Sequence, residues 1–315
     1  MKINWLLSVL MLLLAGTNRI AYASCEQQNA HMIFYQPLLS HQKLTSEQLS
    51  YIQSRLKKHN IDTVILQWSR YGPHHLWGST GARWLKNGLP GRVIRRHLIF
   101  GLYADPEFFG QLHLSDEQLE PYLNRLMLDN LSEASKVYSQ FGNQIKGWYL
   151  PAEIDDLNWQ TPHRQQILAA HLQANVQALN RLTPGKPVYI STFFGGFMKP
   201  KVYADFLLKI QQASNVIWLI QDGSGVIRSN PPDIAAYLKA IAATLPPKKW
   251  HGVVEAFQET KQDTNSSFCP ISEQNLRERQ ALWCDATGNV ASTIFSLNQL
   301  APILIRDSQP LCDPN

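Results

Sequence analysis

Glu153 closes the apolar run of GWYLPAEIDDLNW (147–159), and Glu255 stands inside HGVVEAFQE (251–259). A carboxyl embedded in buried strand sequence carries a desolvation cost, which a fold tolerates when the group is paired or has a task. Two such carboxyls a few ångströms apart can divide one reaction between them. One protonates a leaving oxygen while the other attacks or activates water, which is the chemistry that cleaving a glycosidic bond requires.

Polar and aromatic residues gather at the ends of the neighbouring strand-like runs: Gln67, Trp68, Arg70 and Tyr71, then Asp155 and Trp159, then Gln221 and Asp222. Gln67, Arg70 and Gln221 could bond hydroxyls or orient the acids, and Trp68 and Trp159 could offer flat faces to pyranose rings. Asp155 and Asp222 read either as sugar-binding groups or as turn formers, Asp222 because Gly223 follows it. Trp148 and Trp218 read as core. His74 and His75 are adjacent, so their side chains diverge, and neither HxH, HxxxH nor CxxC is present; no metal and no cofactor are expected. The GxSxG elbow and the Walker loop are missing too, which sets aside serine hydrolysis and phosphoryl transfer of those kinds.

Strand-like runs fall at 32–39, 63–71, 97–104, 147–153, 188–194, 216–222, 252–257 and 292–297. Helical periodicity separates them at 46–58, 82–87, 116–141 with a break near Pro121, 162–182, 199–213, 233–245 and 273–283. Thr45, Ser115 and Thr161 stand at N-cap positions. Eight apolar strands alternating with helices predict an α/β fold, a single (β/α)8 TIM barrel of eight parallel strands, whose sites lie at the C-terminal strand ends. The alternative is an open doubly wound sheet, but no GxGxxG follows the first strand.

The chain of 315 residues opens with Lys2, an apolar run from Trp5 to Gly16, and Ala21-Tyr22-Ala23. That pattern predicts a signal peptide over 1–23, cleavage after Ala23, and one domain over 24–315. The apolar run is short for a membrane span, and no transmembrane segment is expected. A periplasmic or secreted protein follows, with lipidation at Cys25 the lesser alternative. Cys25, Cys269, Cys284 and Cys312 then suggest two disulfides, Cys269 with Cys284 and Cys25 with Cys312. The formal charge of +5 includes Lys2 and Arg19 of the leader, and the remaining basic pairs form no stripe, so nucleic acid is not an expected partner. A monomer with a carbohydrate substrate is the simplest expectation.

Glutamates after strands four and seven resemble the retaining glycosidase clan with that layout, which would make Glu153 the acid/base and Glu255 the nucleophile. That clan places Asn before its strand-four acid, where this chain has Ala152. LQWSRYG (66–72), GWYLPAEID (147–155), IQDGSG (220–225) and VVEAF (253–257) are similar to the strand-end motifs of a bacterial glycoside-hydrolase-like TIM-barrel family, domain of unknown function 4434. The resemblance implies a glycoside hydrolase. A catalytically silent carbohydrate-binding barrel, in exopolysaccharide metabolism or export, stays open beside it.

Overall fold

The computed structural model describes Cys25 and residues 30–75, 97–228, 232–262 and 265–305. The leader, the expected 82–87 helix, Trp77 and Cys312 lie outside these residues.

Eight parallel strands close into a barrel: β1 (Met32–Tyr35), β2 (Thr63–Leu66), β3 (His97–Gly101), β4 (Ile145–Ile154), β5 (Val188–Phe193), β6 (Ile217–Gln221), β7 (Trp250–Glu255) and β8 (Thr293–Phe295). Closure is direct, because β8 pairs with β1 through Met32↔Thr293 and Ile33↔Ile294. This is the TIM-barrel fold anticipated from the alternating runs. Six long helices cover the outside: α1 (Ser46–Lys58), α2 (Asp116–Phe141), α3 (Pro162–Leu182), α4 (Pro200–Ser214), α5 (Ile234–Thr244) and α6 (Glu273–Thr287). Thr45 and Thr161 cap α1 and α3 by accepting the N–H groups of Gln48 and Arg164. Ser115 makes no such bond, and α2 passes through Pro121 without a break.

Strand alternation sorts the core into two. Met32, Phe34, Ile65, Ile99, Tyr149, Tyr189, Leu219 and Val253 pack together inside the barrel. Their neighbours in sequence, such as Ile33, Val64, Phe100, Trp148, Ile190 and Val254, pack under the helices. Trp148 and Trp218 belong to the outer layer, where their indole N–H groups reach Thr183 Oγ1 at 2.7 Å and the Leu207 carbonyl at 3.1 Å. Continuing the inward alternation upward brings Gln67, Gln221 and Glu255 to the mouth. In β4 the ladder slips between Leu150↔Ile190 and Glu153↔Ser191. Pro151 has no N–H for the ladder, so a bulge there is physically natural, and it sets Glu153 level with inward-facing Ser191.

The expected disulfides are corrected. Cys25 bonds to Cys284, with S–S 2.02 Å and Cα–Cα 6.0 Å. Neither Cys25–Cys312 nor Cys269–Cys284 is therefore present. Cys269 closes the strand Asn265–Pro270, before α6 begins, whereas Cys284 lies 11 residues along that helix. At about 1.5 Å per residue the helix carries Cys284 roughly 16 Å from its start, beyond disulfide reach of Cys269. The same run delivers Cys284 to the opposite face of the barrel, where the chain enters β1. Cys269 is itself disulfide-bonded. Among the described residues no helix is long and apolar enough to cross a membrane.

Candidate active site

Glu153 projects from the end of β4, half-buried. Gln221, at the end of β6, donates its side-chain N–H to Glu153 Oε1 at 2.9 Å. Below them the Tyr149 hydroxyl and Ser191 Oγ share a buried hydrogen bond of 2.9 Å. Burial pushes the Glu153 carboxyl up from its ordinary range, and the Gln221 amide opposes that.

Glu255, at the end of β7, is only 3% exposed. Its Oε2 accepts the Gly225 N–H at 2.6 Å, from the turn that follows β6. Its carboxyl is pushed up to about 8, first by burial and then by the neighbouring Asp222 charge. The Gly225 bond and Arg279 pull it down, and Glu153 adds a further upward push. Glu255 was expected to be the ionised partner of the pair. The structure reverses that, because a second carboxylate stands beside it.

That second carboxylate is Asp222, 1% exposed. Oδ1 accepts from the Ser224 N–H at 2.9 Å and the Ser224 hydroxyl at 2.7 Å, and Oδ2 accepts from Trp283 Nε1 at 2.7 Å. Burial raises Asp222 as well, against these three donors and Arg279. Three donors on Asp222 against one on Glu255 place the negative charge on Asp222 and the proton on Glu255.

The other residues singled out in the sequence separate. Gln67 comes to the mouth, with its Oε1 buried and without a hydrogen-bond partner. Trp68 is half-buried against exposed Tyr71, their rings 5.2 Å apart, at the rim. Arg70 turns outward: it donates to Asp129 on α2 at 2.9 Å, lies 3.9 Å from Glu133, and covers the Tyr103 ring. Trp159 is fully buried, so it is core and not a sugar platform. Asp155 is spent locally, accepting the N–H groups of Leu157 and Asn158 and the Asn158 amide. His75 faces Glu133 at 3.3 Å, and among the described residues no cluster could hold a metal.

Sequence reasoning passed over two groups. Asp156 is fully buried and accepts four backbone N–H groups, from Gly195, Gly196, Phe197 and Met198, at 2.6 to 3.1 Å. It ties the loop after β4 to the loop after β5. Arg279 and Trp283, on one face of α6, hold the ends of β7 and β6. A cavity of about 460 Å3 lies elsewhere, between α1 and α6 around the Cys25–Cys284 bond. Its acid Glu273 is engaged by Arg55 and Lys58, so the paired-carboxyl chemistry stays at the barrel mouth.

Residues 94–297 match the family described as Domain of unknown function (DUF4434), and the chain belongs to that family. It is 37% identical over 222 residues, 70% of this chain and 74% of the relative, to the uncharacterized protein YbcH of Escherichia coli. A candidate alpha-L-fucosidase from Bacteroides thetaiotaomicron superposes with TM-score 0.61 at 17% identity, covering 85% of each chain. The intracellular xylanase TsXylA of Thermoanaerobacterium saccharolyticum, in complex with xylotriose, gives TM-score 0.53 at 13% identity over 92% of this chain and 90% of that one. At these identities the likeness is one of fold, a glycoside-hydrolase-like barrel.

Proposed function

We propose that this DUF4434 member is a glycoside hydrolase acting on a polysaccharide or oligosaccharide in an oxidising compartment outside the cytoplasm, with Glu153 and Glu255 as the reacting carboxyls. The observation that carries the reading is the convergence of two desolvated glutamates, from β4 and β7, on one barrel mouth, close enough that Glu153 raises Glu255. Glycosidic cleavage needs one carboxyl that keeps its proton at working pH and one that acts as a carboxylate. Glu255 keeps its proton, so it is the donor to the leaving oxygen. Glu153, half-buried and steadied by Gln221, is the carboxylate that attacks the anomeric carbon or activates water. These roles are the reverse of those the clan resemblance implies. Gln67, with an unpartnered buried Oε1, suits a substrate hydroxyl. The disulfide suits an extracytoplasmic location.

The test uses a panel of glycosides with poor and good leaving groups. Glu255→Gln should lose about 100-fold or more on alkyl glycosides or glycans, yet keep much of its turnover on aryl glycosides whose leaving group needs no proton. Glu153→Gln should lose both. The opposite pattern restores the clan's roles, and full turnover in either variant removes the pair from the mechanism.

A second reading, a sugar-binding barrel without turnover, is favoured by one feature: Glu255 is nearly enclosed beneath the Gly225 turn. It predicts saturable oligosaccharide binding by the native chain with no release of reducing ends.

A further inference from the structure

Helix α6 reaches two strand ends with residues four apart, on one helix face. Arg279 Nη1 donates to the carbonyls of Glu255 and Phe257 at 2.6 and 2.8 Å, and Nη2 to Gln258 Oε1 at 2.8 Å. Trp283 donates to Asp222 across β7, and its ring lies so close that a Cβ at Gly252 would fall 2.5 Å from it. The two Ser224 donors on Asp222 Oδ1 close a turn whose next N–H, that of Gly225, goes to Glu255. Here too a side chain is excluded: a Cβ at Gly225 would lie 2.9 Å from Glu255 Oε2 and 2.6 Å from the Phe257 carbonyl. Glycines at 225 and 252 thus admit contacts that join Asp222 to Glu255 through one turn and one helix face.

We infer that Asp222 is a positioning residue for Glu255: clamped by Trp283 and Ser224, it shapes the turn that brings Gly225 to Glu255 and keeps a fixed negative charge beside it, so that the mouth's proton resides on Glu255. This rests on the reading of Glu255 as the proton donor. The charged groups around Glu255 are Asp222 from β6, Glu153 from β4 and Arg279 from α6. Across the turn stand Arg228, packed over Gly223, and Glu259, which accepts the Ile227 N–H at 2.7 Å. Arg279 is committed to backbone carbonyls and offsets one carboxylate. Asp222, with three donors, is the one that ionises.

The experiment follows the Glu255 side-chain carboxyl by 13C NMR in protein labelled at glutamate Cδ, the resonance assigned with Glu255→Gln. Asp222→Asn should move the Glu255 titration down by about one pH unit or more, because a like charge has been removed. Ser224→Ala, a milder change, should raise the titration of Asp222 in protein labelled at aspartate Cγ, because two bonds to its charged form become one. An unchanged Glu255 titration in folded Asp222→Asn overturns the inference. If that variant does not fold, an unchanged Asp222 titration in Ser224→Ala overturns it. The titrations need no substrate, so a chain that hydrolyses nothing would refute the hydrolase reading and leave these shifts in place.

Discussion

Replacing Glu255 by Gln should make the protein more stable at neutral pH while removing its proton donor. The amide keeps the shape and still accepts the Gly225 N–H, but it has no proton to lose. In the native chain the Glu255 carboxyl moves from 4.5 to about 8 on folding. A carboxyl raised on folding contributes its stability below its unfolded value, near 4.5, and that contribution is lost as pH rises toward 8. At pH 7 the native chain therefore gives up about 2.5 pH units of linkage, or about 3 kcal/mol, which the Gln variant does not. Burial at 3% exposure leaves little solvent to screen the effect. Urea unfolding of both proteins under non-reducing conditions, from pH 4 to pH 9, measures it. The stability difference should grow steadily between about pH 4.5 and 8 and then level off. A difference that stays flat across that range would refute the assignment of the proton to Glu255.

Asp156→Asn should cost about 3 kcal/mol in urea unfolding, because four buried N–H groups lose a charged acceptor and one side-chain oxygen cannot serve them all. The Cys25→Ser, Cys284→Ser double variant should lose about 2–5 kcal/mol, read from the unfolding midpoint, since the bond closes a separation of 259 residues.

Much of the barrel was legible because it rests on local patterns. Each of the eight strand-like runs contains a barrel strand, and the predicted 46–58, 116–141 and 162–182 helices match α1, α2 and α3 end to end. Apolar alternation, helical periodicity and the Thr45 and Thr161 caps are all written within a few residues. The pairing of Gln221 with Glu153 was legible for a related reason: both end strands of a parallel barrel, and the sites of such barrels gather there.

What the sequence alone could not hold is anything that depends on which segments lie side by side. Arg70 has the chemistry of a sugar ligand, but its strand, Arg70–Tyr71, pairs with Tyr103–Ala104 and turns it toward α2. Trp159 is an aromatic in a strand-end loop, yet packing leaves it no exposed face. Asp156 reads as one more loop acid until the loop after β5 folds its four N–H groups around it. The protonation of Glu255 is set by Asp222, 33 residues earlier, which the β6–β7 register, Val253↔Gln221, brings alongside. Alternation along one strand is a property of the chain. Register between strands, and the helix face laid over them, arise only when the barrel closes, and these decide where each charge resides.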